Sequence, residues 1–120
     1  MQIWTRRIYD PSTPQDGRRV LVDRLWPRGV ARADARIDAW LKGIAPSDGL
    51  RRWYGHDPQR WDEFRRRYAA ELDHAGEALD QLRDWTAQGR VTLVYAARDE
   101  RRNNAVALRE YLQQGGRESS

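Results

Sequence analysis

Apolar residues fall into two patterns along this chain, unbroken runs and helical stripes, and together they lay out most of its fold. Residues 91–97, Val-Thr-Leu-Val-Tyr-Ala-Ala, predict a strand covered on both faces, since a strand buried on both sides has no polar face to alternate with. Residues 19–26 contain Val20, Leu21, Val22 and Leu25 and predict a second central strand, ended by Pro27 and Gly29. Residues 3–8, alternating with Gln2, Thr5 and Arg7, read as a short first strand. Between the first two lies a loop at residues 9–17, where Asp10, Pro11, Ser12, Pro14 and Gly17 crowd together.

From Ala33 the period becomes helical. Ile37, Trp40 and Leu41 share a face, and Gly43 is placed to end the helix. Ser47 can cap a short helix carrying Leu50, Trp53 and Tyr54, which Gly55 ends. Asp57-Pro58 sets an N-cap acceptor before a proline at the first helical position. After it, Trp61, Phe64, Tyr68 and Leu72 form an apolar stripe, supported by the i,i+4 pairs Asp62–Arg66 and Glu63–Arg67 at ~0.2–0.5 kcal/mol each. Gly76 divides this helix from the next, whose face is Leu79, Leu82 and Trp85 and which runs up to Gly89. Asp99, Asn103 and Asn104 are all competent caps for a last helix carrying Ala105, Leu108 and Leu112.

The order β, β, helices, β, helix predicts an α/β protein: one compact domain over residues 1–114, with a small, mostly parallel sheet of about three strands covered by helices. Residues 115–120 have nothing to bury and read as a flexible tail. The helical crossover between the second and third strands makes those strands parallel neighbours or near neighbours.

Composition narrows this little. The chain has 120 residues, enough for a core without staples, and no cysteine, which removes thiolate nucleophiles, disulfides and cysteine metal sites. Its start lacks the apolar core of a signal peptide, and no stretch reaches the roughly 18 apolar residues of a membrane span, so a cytoplasmic chain without a membrane partner is expected. Basic residues are nearly all arginine, Lys42 being the single lysine, for a net charge of +4. Arginine suits phosphate and carboxylate, which permits nucleotide or nucleic-acid binding, although solvated helix faces explain most of these charges more simply. Six tryptophans and five tyrosines can supply much of the core, and Trp40, Trp61 and Trp85 each fall on an apolar helical stripe.

If the second and third strands are parallel, their carboxyl ends bring Asp23, Arg24 and Arg28 near Arg98 and Asp99, at the edge where open α/β sheets bind ligands. Asp23 interrupts an apolar strand. The plainest reading is an ion pair with an arginine, since a lone buried carboxylate is costly. Arg24, Arg28 and Arg98 can grip a phosphate with backbone amides of the last helix, yet no glycine-rich phosphate loop or dinucleotide fingerprint is present and no cofactor is implied. His56, beside Asp57, is a candidate general base without a serine or cysteine to activate, and Asp57 is already explained as a cap. His74 reads as surface. The two histidines lack ligand spacing, so no metal site is expected. One amide of the Asn103-Asn104 pair suffices as a cap, which leaves the other to meet a ligand or brace the turn.

Three blocks, residues 20–29, residues 55–58 with Trp61 and Phe64, and residues 95–99 followed by Asn103, Asn104 and Ala105, resemble the bacterial YeaO-like family (DUF488). The resemblance runs from Ile8 to about Leu112. It implies a compact bacterial α/β domain and carries over no substrate, cofactor or catalytic residue.

Three functions follow in order. The first is binding of a small anion, phosphate-bearing and with a nucleotide among the candidates, by Arg24, Arg28, Arg98, Asn103 and Asn104. The second is acid/base catalysis on a nucleotide or sugar phosphate through Asp23, His56 or Asp99. The third is nucleic-acid binding through arginine-rich helix faces such as residues 65–67.

Overall fold

A computed structural model describes residues 2–114 and contains four strands, all parallel. They are β1 (Ile3–Arg7), β2 (Arg18–Leu21), β3 (Ala39–Trp40) and β4 (Val91–Tyr95), in the spatial order β1-β4-β2-β3. β4 is buried at every position and pairs with β1 from Ile3↔Val91 to Arg7↔Tyr95. On its other side it pairs with β2 from Arg18↔Val91 to Leu21↔Val94. The two apolar runs are therefore parallel neighbours, as their sequence demanded of strands hidden on both faces.

Among the described residues five α-helices accompany the sheet: α1 (Arg32–Ala35), α2 (Asp48–Tyr54), α3 (Trp61–Leu72), α4 (Glu77–Gln88) and α5 (Asn104–Gln113). One sheet face, carrying Ile3, Val20, Val22, Val91, Leu93 and Tyr95, packs against α2 to α5. The opposite face, with Leu21 and Val94, is covered by Ile8, Ala35 and the half-buried Trp26 and Trp40. The helix ends follow their caps. Ser47 Oγ accepts from Leu50 N at 3.1 Å, Asp57 Oδ1 from Gln59 N at 3.0 Å, and Asn103 Oδ1 from Val106 N at 2.9 Å.

The helix expected from Ala33 to Gly43 does not form. One turn, α1, ends at Arg36 in the left-handed region (φ 53°), and the chain then runs alongside β2 as the fourth strand. The cause is tertiary. Arg19, only 4% exposed, donates from Nε to Arg36 O at 2.9 Å and from Nη2 to Ala35 O at 3.2 Å, taking the carbonyls a longer helix would use. The open edge of β2 then claims the next amides, Asp38 N to Arg19 O at 2.8 Å and Leu41 N to Leu21 O at 3.0 Å. Trp40 consequently sits on an edge strand, edge-on to Trp26 with ring centroids 5.4 Å apart, and not on a helical stripe.

Two smaller expectations also shift. β2 ends at Leu21 with one further bond, Val22 N to Val94 O at 3.1 Å, because the next pair of the ladder is diverted: Ala96 N donates to Asp23 Oδ2 at 3.0 Å and Val22 O accepts from Asn104 Nδ2 at 3.0 Å. On α3 Glu63 pairs with Arg67 at 2.8 Å as expected, but Asp62 pairs with Arg65 at 2.7 Å, and Arg66 turns to Glu63 at 2.8 Å. Residues 115–120, expected to form a tail, lie outside the described residues. Among the described residues no helix is long and apolar enough to cross a membrane.

Candidate functional site

Beyond the carboxyl ends of β2 and β4 the chain leaves a cavity of about 380 Å³. Asp23, Arg24 and Arg28 border it from the segment after β2, Ala96 and Ala97 from the end of β4, and Asn104 from the first turn of α5. Arg51 and Tyr54 of α2, and then His56, also line it. This is the sheet edge at which parallel α/β folds place ligands. Its position follows from the sequence, since two parallel apolar strands stop at polar residues on the same side.

Asp23 is the best-fixed group here. Its Oδ2 accepts from Ala96 N at 3.0 Å and its Oδ1 from Asn104 Nδ2 at 3.0 Å. Asn104 is itself held to Val22 O at 3.0 Å. Burial pushes the Asp23 carboxyl above the usual aspartate range, opposed by those two bonds and by the charges of Arg51 and His56. The ion pair expected between Asp23 and an arginine is absent among the described residues. Neutral donors already occupy both oxygens, while Arg24 turns to Pro46 O at 3.3 Å and to Asp48 at 3.7 Å, and Arg51 turns to Asp48 at 3.4 Å.

The cations form a rim. Arg24 and Arg51 share the half-exposed Asp48, whereas the Arg28 guanidinium has no carboxylate partner among the described residues. His56 borders the cavity in the left-handed region (φ 57°), directly after Gly55 at φ 55°, a conformation costing a non-glycine residue about 1 kcal/mol. Tyr54 donates to Arg102 O at 2.9 Å, and burial together with the charge of Asp99 pushes its phenol up to about 12. Tyr9 and Leu25, at 48% and 64% exposed, also border the opening.

Not every residue singled out in the sequence comes to this cavity. Asp99 turns back on its own loop, accepting from Arg101 N at 2.9 Å and Arg102 N at 3.0 Å, bonds that hold its carboxyl below the usual range. Arg98 lies outside the lining. Asn103 is the buried cap of α5, and Asn104 braces the turn after β2, so the two amides divide capping from bracing. Residues 65–67 are engaged with Asp62, Glu63 and Glu110, which leaves little free positive charge on that face of α3. Arg51, Tyr9 and Leu25 were not foreseen as lining. A signal existed for Arg51, which lies one turn beyond the Ser47 cap of a helix that has to start at the sheet edge.

Fold and site together define an all-parallel α/β domain with an arginine-rimmed cavity at the carboxyl ends of its strands. The chain belongs to the DUF488 proteins, within the group described as the Inactive DUF488-N3 subclade, which matches residues 2–120. It is similar to the uncharacterized protein Rv3073c of Mycobacterium tuberculosis, 47% identical over 106 residues, 88% of this chain and 89% of that one. It is also similar to the uncharacterized protein YeaO of Escherichia coli, 38% identical over 112 residues, 93% of this chain and 97% of that one. No solved structure matches it.

Proposed function

We propose that this protein is a small-ligand binding domain that holds a phosphate-bearing anion in the cavity beyond β2 and β4. The observation that carries this reading is the charge of the rim: Arg24, Arg28 and Arg51 border one cavity, and a single exposed carboxylate, Asp48, offsets two of them. A guanidinium fork matches phosphate oxygens in pairs, and a rim of cations beside apolar walls raises the local anion concentration. Arg98, near the same sheet edge, adds to that field without lining the cavity. Asn104 acts by bracing Asp23, and Asn103 by starting α5.

Thermal unfolding with inorganic phosphate, sugar phosphates and nucleotides tests the reading. A ligand at a hundredfold excess over its Kd is expected to add about 2.7 kcal/mol of stability, with the effect abolished by Arg28→Ala and weakened less by Arg98→Ala. No stabilisation by any of these anions, with Arg28→Ala indistinguishable from the parent, rejects it.

A second reading, acid/base catalysis on such a ligand, is favoured by one fact: Asp23 and His56 border the same cavity. The lining offers no serine, cysteine or lysine nucleophile, and the subclade carries the description inactive, so binding ranks first. Phosphorus NMR of sugar phosphates and nucleotides held with the protein from acidic to neutral pH decides between the two, since turnover would promote Asp23 and His56 to catalytic residues.

A further inference from the structure

The cavity is lined by a carboxylate as well as by guanidinium groups, which is more than a phosphate requires. A half-buried carboxylate that no arginine contacts among the described residues is costly even with the charges of Arg51 and His56 nearby, and bare phosphate would be repelled by it. Yet Asp23 is fixed in place. The Trp40 indole holds its carbonyl at 2.7 Å, and Ala96 N and Asn104 Nδ2 each take one carboxylate oxygen at 3.0 Å. Each of those oxygens can accept a second bond, so Asp23 keeps acceptor capacity on the wall of the cavity. A group held this firmly before a guest arrives loses little freedom on binding.

The walls add a third requirement. Tyr9 and Leu25 are the large hydrophobic side chains left exposed among the described residues, and both border this cavity, near Pro27 and Phe64. Exposed apolar groups gathered at one opening suit a flat apolar guest. The Tyr9 ring is held in place, its hydroxyl donating to Arg28 O at 3.1 Å with the Arg7 guanidinium 4.9 Å from its centroid. A volume of about 380 Å³ lies within the range of small-molecule sites and far exceeds what phosphate alone fills.

Resting on the anion-binding reading, we propose that the guest is a nucleoside monophosphate, its phosphate at the Arg24, Arg28 and Arg51 rim, its base against Tyr9 and Leu25, and a hydrogen-bond donor of the nucleoside on Asp23. Asp23 is then the residue that distinguishes a nucleotide from other phosphates. The carboxylate and the guanidinium groups together select a guest that carries both an anion and a hydrogen-bond donor.

Calorimetric titration of the full chain with inorganic phosphate, ribose phosphate, guanosine monophosphate, adenosine monophosphate and uridine monophosphate tests this. At least one nucleoside monophosphate is expected to bind about tenfold or more tighter than inorganic phosphate, the weight of roughly one good buried hydrogen bond. Asp23→Asn should cut that advantage about tenfold, leaving only what the base gains against Tyr9 and Leu25, while inorganic phosphate binds as before or better, and Arg28→Ala should abolish binding of all the anions alike. If Asp23→Asn fails to fold, the parent chain is titrated with the same nucleotide methylated at its base N–H and sugar hydroxyls, which should lose the same share of the advantage. Inorganic phosphate binding as tightly as every nucleotide, or an advantage undiminished by removal of Asp23 or of the donors, overturns the proposal and leaves the anion reading standing. Absence of binding by any anion removes both.

Discussion

β2 carries a carboxylate just outside each of its ends, and the two are treated in opposite ways. Asp16, before the strand and 1% exposed, lies 2.6 Å from Arg19 and 3.2 Å from Arg6, with Thr13 donating from Oγ1 at 2.8 Å and from its backbone N at 3.2 Å. Asp23, after the strand, is bonded by neutral donors and borders the cavity, with the charges of Arg51 and His56 acting on it without an ion-pair contact. Burial raises both carboxyls. At Asp16 the bonds from Thr13 and Arg19 and the charge of Arg6 reverse the direction and hold it below the usual range, while at Asp23 burial prevails. A structural ion pair is closed on itself. An unpaired acid beside a cavity is a cost that folding alone does not explain, and that difference directs the functional argument to the carboxyl end of the sheet.

Substitutions should separate the two ends. The largest effect is expected from Asp16→Asn, which leaves Arg19 buried without its counter-charge and should cost about 3–5 kcal/mol in urea unfolding. A loss under ~1 kcal/mol would mean that the carbonyls of Ala35 and Arg36 suffice for Arg19. Because the folded Asp16 carboxyl lies below its unfolded value, its contribution is complete above the unfolded value. It is lost as pH falls through the folded one.

Asn104→Ala frees Asp23 Oδ1 and Val22 O together and should cost about 1–3 kcal/mol while loosening the cavity, read by the same unfolding curves and by ligand titration. Asp23 itself should behave in the reverse sense to Asp16. Its folded value is raised, so the parent gains stability relative to Asp23→Asn as pH falls through that raised value toward the unfolded one. Equal pH dependence of the two proteins would erase the contrast. At the small end, Arg28→Ala should change unfolding stability by no more than ~0.5 kcal/mol, since no carboxylate partners the side chain, while anion binding is lost.

How far the sequence disclosed this arrangement depends on the range of the interactions involved. β1, β2, β4, α2, α3, α4 and α5 are legible because local periodicity and caps decide them, as at Ser47, Asp57 and Asn103. The segment from Ala33 to Gly43 misleads because its spacing fits a helix, while the buried Arg19 side chain and the open edge of its strand, β2, impose a strand there. At the site, Asp23, Arg24, Arg28, His56 and Asn104 were nominated from sequence and share one cavity. Arg98 and Asp99 were nominated on the same logic but fall outside the lining, because the loop after β4 turns on Asp99 before α5 begins. What holds Asp23 was not legible, since no local rule tells a carboxylate gripped by arginine from one gripped by an amide.

β3 spans two residues, and the second of them, Trp40, anchors the backbone beside Asp23. So short an edge can fray long before the centre of the sheet opens. Fraying there would free the Asp23 carbonyl and leave its carboxylate held only by Ala96 N and Asn104, joining local breathing to the readiness of the site. A guest that clamps Asp23 should therefore slow amide exchange at Leu41, whose N–H bonds to Leu21 O at 3.0 Å beside Trp40.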